Sequence, residues 1–129
     1  MSVSVGDTRS VVVVEDLKRT QLVQYSGASG DYNPLHTDEI YTTEVAGYPS
    51  VFAHGMLTMG MSGRVLTDWF GAAAVKRFGV RFTNQVWPGD TLTVTAVVTS
   101  VEAGVAGLSI STVNQDGREV VVGTAEVWV

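Results

Sequence analysis

Apolar and polar residues alternate with a period of two through most of the C-terminal half of the chain. Phe78, Val80 and Phe82 are apolar while Arg81, Thr83 and Gln85 fall on the opposite parity, the pattern of a strand buried on one face. Trp87-Pro88-Gly89-Asp90 turns the chain, and Thr91 to Val101 resumes the alternation, with Leu92, Val94, Ala96 and Val98 on one side and threonines mostly on the other. A third run, Val105 to Val113, follows the turn Glu102-Ala103-Gly104. The turn sequence Asn114-Gln115-Asp116-Gly117 leads into the last run, Arg118 to Val129. Consecutive strands joined by short turns predict an antiparallel meander. The chain's 24 Val and 14 Thr support it, since β-branched side chains fit a pleated surface better than a helix.

The N-terminal half is patterned differently. Thr8 to Val14 is predicted as a strand, and Glu15 to Tyr25 as a short helix carrying Leu17, Leu22, Val23 and Tyr25. The stretch SGASGDYNPLH is a loop. Asp38 and Glu39 suit a helix N-terminus, so Thr37 to Val45 is predicted as one or two helical turns, which Gly47-Tyr48-Pro49-Ser50 ends. Ala53 to Phe70 is the longest helical candidate. Met56, Met59, Gly60, Gly63, Leu66 and Phe70 lie close to one face, and Leu57, Met61, Val65 and Trp69 nearly opposite. A helix that is apolar all round must be enclosed, and Gly60 and Gly63 let another surface approach its backbone. The expectation is an α+β fold in which an antiparallel sheet wraps around a long central helix. No repeat or linker divides residues 1–129, which are read as a single domain.

Composition narrows the function. Only 16% of the residues are charged, against about 25% in an average domain, so some surface is expected to be covered by a partner subunit. There is no cysteine, which excludes thiol catalysis, cysteine-ligated zinc and iron–sulfur clusters, and agrees with a reducing compartment. A net charge of −5 gives no basic footprint for nucleic acid. Arg64 and Asp68 interrupt the best apolar stretch, leaving nothing near the ~20 apolar residues of a membrane span. The segment MSVSVGDTRSVVVV lacks the layout of a secretory signal, so a cytoplasmic location is expected.

Chemistry concentrates in two places. In Gly30-Asp31-Tyr32-Asn33-Pro34-Leu35-His36 the carboxylate and the imidazole are five residues apart. Neither a helix nor a strand brings such positions to one side, but a turn does. Pro34 pushes Asn33 out of the α region, and Asn33 readily bonds backbone two residues on. Two readings follow: a general acid–base pair around one water, or a turn aspartate with a packed histidine. The second place is Ala53-His54-Gly55-Met56, where the Gly55 amide at a helix start can receive an oxyanion, or the glycine can serve packing alone. His54 reads first as a core residue. Ser29 and Ser62 are candidate supporting donors. No spacing of histidines or carboxylates favours a metal, Asp38 and Glu39 included, and the absence of a Gly-x-Ser-x-Gly elbow disfavours a serine hydrolase.

YSGASGDYNPLH followed by AHGM resembles the MaoC-like hydratases and dehydratases, whose type members are R-specific enoyl-CoA hydratases. Tyr25, Gly30, Asp31, Asn33, Pro34, Leu35 and His36 match the family signature, while Thr42 stands where the family usually has Ala or Ser. FAHGMLTMGMSGRVLTDW looks most like catalytic subunits of actinobacterial 3-hydroxyacyl-carrier-protein dehydratases, and FGVRFTNQVWPGDTL also fits. The resemblance implies the hot-dog fold and reversible syn hydration of trans-2-enoyl thioesters of coenzyme A or acyl carrier protein, without a cofactor. It implies Asp31 and His36 as the catalytic pair and Gly55 as the carbonyl-binding amide; Asn33, Ser62 and His54 are candidate supporting residues around them. It also implies a homodimer, or a heterodimer with a related hot-dog subunit. An acyl-thioesterase, a non-catalytic thioester-binding subunit and a plain interaction protein are the rival readings.

Overall fold

The computed structural model describes residues 2–129. Five strands form one antiparallel sheet: β1 (Thr8–Val14), β2 (Val75–Phe82), β3 (Leu92–Glu102), β4 (Val105–Val113) and β5 (Glu119–Trp128), in the order β1-β3-β4-β5-β2. The alternation read from the sequence sets the faces. Leu92, Val94, Ala96 and Val98 of β3 are all buried and their intervening residues are not. Ala106, Leu108 and Ile110 of β4, with Ala125 and Val127 of β5, continue the same inner face, and Val98 pairs with Leu108 across the ladder. Met61, Val65, Leu66 and Trp69 from the helices close the core. This is the α+β hot-dog architecture expected, with helix packed against the sheet's buried face.

Element boundaries shift where a distant contact takes over the backbone. The first helix, α1, runs Arg19–Ser29 rather than from Glu15. Leu17 is tied to the β2–β3 turn, its N–H donating to the Asp90 carbonyl at 2.9 Å and its carbonyl accepting from Gly89 at 2.7 Å, so helix starts only beyond it. The segment expected as helix after Thr37 is a π-helical turn at Tyr41–Val45. β2 begins at Val75, three residues early, because Val75 already pairs with Val127 of β5.

The long helix is α2 (Gly55–Ser62) followed by α3 (Arg64–Phe70), jointed at Gly63. The Gly63 carbonyl accepts from both Leu66 and Thr67, at 3.0 and 3.2 Å, which tightens the turn there. Enclosure is one-sided. Thr58, Met61, Ser62, Val65, Leu66 and Trp69 are buried against the sheet, whereas Met56 is 60% exposed. Met56, Met59, Gly60, Gly63 and Phe78 line an open apolar groove beside the edge strand β2. Among the described residues no helix is long and apolar enough to cross a membrane.

Gly123 of β5 pairs with Val80 of β2, and a Cβ there would fall on the Gly79 carbonyl and 3.0 Å from Val80 Cα. Gly123→Ala is therefore expected to lower unfolding free energy by about 1–3 kcal/mol through overpacking. Gly27→Ala, in α1 with open space around it, is expected to gain up to about 1 kcal/mol from helix propensity. Urea denaturation of both variants checks the pair of signs.

Candidate active site

The loop after α1 is built by its own side chains. Gly30 ends the helix at φ 77°, its N–H returning to the Ser26 carbonyl at 3.0 Å, a conformation that glycine adopts without cost. Ser29 Oγ accepts from the Asp31 amide, Asp31 Oδ1 from the Asn33 amide at 3.2 Å, and Asn33 Oδ1 from the Leu35 amide at 3.0 Å. Pro34 then opens the 3-10 turn Pro34–His36. Thr42, the departure from the family signature, is buried and donates to the carbonyls of Pro34 and Asp38. These local bonds bend the chain so that Asp31 and His36 meet.

His36 is buried, and its Nδ1 lies 2.7 Å from the Phe52 carbonyl oxygen. A carbonyl only accepts, so Nδ1 carries the proton and Nε2 presents a lone pair when the ring is neutral. That Nε2 is 3.9 Å from Asp31 Oδ2, whose side chain is 51% exposed. The gap is too wide for a direct hydrogen bond and the right width for one oxygen bridging both groups.

Gly55 is the first residue of α2, so its N–H has no intrahelical acceptor, and no side chain caps it. His36 and Gly55 line the same cavity of about 430 Å³, together with Thr58, Phe82, Val120 and Val121. The Phe82 ring sits over Gly55, 3.2 Å from where a Cβ would be. The cavity thus joins an imidazole, an unpaired helix-terminal amide and an apolar wall.

The remaining predicted residues take other places. His54 is 1% exposed, stacked on His36 with ring centroids 3.8 Å apart and planes at 22°. Asn33 works within the turn. Ser62 is buried away from the cavity, donating to the Thr58 carbonyl or sharing its proton with Thr112 Oγ1 at 2.7 Å. Its hydroxyl joins helix to β4 and meets the cavity only through Thr58, which lines it. Asp38 accepts from the Tyr41 amide, and Glu39 pairs with Arg19, whose guanidinium holds its carboxyl below the usual range. Asp31, His36 and His54 lie close enough to consider a metal, but with the two rings stacked 3.8 Å apart at 22°, an ion in the plane of one imidazole lies well out of the plane of the other. Thr58 and Phe82 line the cavity without having been singled out in the sequence; Thr58 is four residues beyond His54, one helical turn on. Tyr25 and Ser26 pack on His54, Tyr25 edge-on at 4.7 Å.

Comparison with known proteins identifies the family and the fold. Residues 3–119 match the family model described as MaoC like domain. The chain is 39% identical over 94 residues, 70% of its length, to 3-hydroxyacyl-thioester dehydratase Y of Mycobacterium tuberculosis, and spans 32% of that protein. It spans about a third or less of the curated relatives it matches. Among solved structures, the (R)-hydratase from A. caviae involved in PHA biosynthesis superposes with TM-score 0.87 at 24% identity, over 99% of this chain and 98% of that one. A chain of the ChsH1-ChsH2 complex of Mycobacterium tuberculosis superposes with TM-score 0.85 at 25% identity, over 100% and 99%.

Burial is the main force holding the His54 imidazole below its ordinary pKa, with the nearby His36 charge adding to it. An unfolded histidine titrates near 6.5. Between the folded and unfolded values the unfolded chain binds more protons, so stability falls as pH drops below that point. The urea midpoint of the wild type is expected to decline from pH 7 toward pH 5 more steeply than that of His54→Phe, which carries no such proton.

Proposed function

The chain belongs to the MaoC-like domain family, and from that premise we propose that it catalyses reversible hydration of trans-2-enoyl thioesters to (R)-3-hydroxyacyl thioesters. The observation that carries the reading is the 3.9 Å separation of Asp31 Oδ2 and His36 Nε2, with His36 and Gly55 lining one cavity. Water held between the pair loses a proton as its oxygen adds to the β-carbon. Electron density moves through the conjugated system onto the thioester oxygen, where the Gly55 N–H stabilises the enolate. The proton taken from water is returned to the α-carbon, and the enolate collapses to the saturated thioester. Dehydration is the same path reversed. Asp31 carries the proton and His36, with Nδ1 fixed on Phe52, orients the water; no cofactor enters. Residues 1–129 act as one such unit, in the cytoplasm, on thioesters of coenzyme A or acyl carrier protein.

The same reading includes a dimer, formed with a second copy or with a related hot-dog subunit. Its support is the edge position of β2, the apolar groove beside it and the low share of charged residues. Light scattering is expected to report twice 13.7 kDa; a fully active monomer would refute the assembly.

With crotonyl-CoA and longer enoyl thioesters, the conjugated enoyl absorbance is expected to bleach without release of free thiol. Thiol release at the rate of substrate loss identifies a thioesterase instead. Asp31→Asn and His36→Ala should each lower kcat by roughly 10² or more, and the double variant by much less than the product. Gly55→Pro removes the amide proton at a position where helices accept proline, following a residue already extended at ψ 137°. It is expected to lower kcat by about 10²–10³. Gly55→Ala keeps the N–H, requires only a small shift of the Phe82 ring, and should retain most activity.

A further inference from the structure

We infer that His54 is a positioning residue for the acid–base pair: stacked under His36, its imidazole grips the backbone carbonyl of Asp31 and thereby fixes the gap between the two catalytic groups. The inference rests on the hydratase reading, since it assigns a role within that site.

Four elements meet on this one ring. His54 Nε2 lies 3.0 Å from Ser26 Oγ of α1 and 3.4 Å from the Asp31 carbonyl oxygen. One face of the ring stacks on His36 at 3.8 Å, and Tyr25 packs edge-on. The backbone of His54 is the cap of α2, and the next amide is that of Gly55. A displacement of this ring therefore moves the carboxylate loop, the imidazole and the oxyanion donor relative to one another.

The protonation pattern follows from the partners. The Asp31 carbonyl only accepts, so Nε2 carries the proton and shares it between that oxygen and Ser26 Oγ. Nδ1 is buried without a partner. As a bare lone pair it forfeits hydration, and with a proton it would be a stranded donor as well, so the Nε2–H form is the one this environment selects. A histidine kept only to fill space would gain by replacement with phenylalanine, which stacks as well and strands no nitrogen. The orphaned Nδ1 is the cost of having a donor at Nε2.

Two variants separate the ring from the donor. His54→Phe keeps the stack and loses the donor; His54→Gln keeps an amide N–H near the position of Nε2 and loses the stack. His54→Phe is expected to lower kcat roughly ten- to a hundredfold, as small misplacements of reacting groups do, with KM within about twofold because the substrate contacts remain. His54→Gln is expected to recover most of the loss. A His54→Phe enzyme at wild-type kcat, or a Gln variant as impaired as the Phe variant, overturns the inference. Nitrogen-15 shifts of the wild-type imidazoles test it without any variant: His54 is expected as the Nε2–H tautomer, and the Nδ1–H tautomer overturns it. The carbonyl carbon-13 resonance of Asp31 should move in His54→Phe, and an unmoved resonance denies the bond. A wild-type protein that hydrates no enoyl thioester sinks the hydratase reading, while these NMR readouts still decide whether His54 holds Asp31.

Discussion

The hydrogen bond from the Ala53 amide to the Val86 carbonyl, 2.8 Å long, anchors the start of the buried helix to the loop between β2 and β3. Everything chemical in the molecule is counted from it. One residue before, Phe52 donates to the Leu35 carbonyl and accepts from His36 Nδ1. One residue after, His54 turns its ring under His36 and caps α2. The next residue offers the free amide of Gly55. Four consecutive residues thus dock the helix, set a tautomer, stack on an imidazole and leave a helix-terminal amide without an acceptor, because a single extended stretch is pinned between the sheet connection and the turn that carries Asp31 and His36.

The sheet was legible in the sequence where one face is fully buried and the other is not, as in β3 and β4; the edge strand β2 shares the alternation although Phe82 is 47% exposed. A period-two pattern survives such an environment without ambiguity, and β4 falls on the residues from Val105 to Val113 that the alternation marked. The helices were less so. Their apolar spacing is sound, but their ends are set by contacts from elsewhere: Leu17 held by Gly89 and Asp90 delays α1, and Ala53 held by Val86 delays α2. Only strictly local signals could have been read at those points, and the deciding partners lie more than thirty positions away in the chain.

For the candidate site the division is similar. The turn chemistry of Asn33 and Pro34 brings Asp31 and His36 together through bonds spanning two residues, which is why the sequence exposes it. The direction of the Ser62 hydroxyl was not legible: a helix carries it to one side only, and here that side faces Thr112 across the core. Phe82, Val120 and Val121 reach the cavity from strands. An alternating pattern says which face a strand residue occupies and nothing about which cavity that face borders.

Asp31 and His36 belong to one turn, and the sheet-side residues Val120 and Val121 that share the cavity with His36 carry no titratable group. Under the proposed reaction this makes the chirality of the product a matter of mounting rather than of recognition. Whatever plane the substrate's double bond adopts, the proton carrier and the water-orienting imidazole both address it from the side on which the loop stands. A mirror-image product would require the pair to be transplanted onto β5, or the acyl chain to enter face-reversed. No exchange of one side chain accomplishes the first, and the Gly55 amide, by fixing the carbonyl, opposes the second.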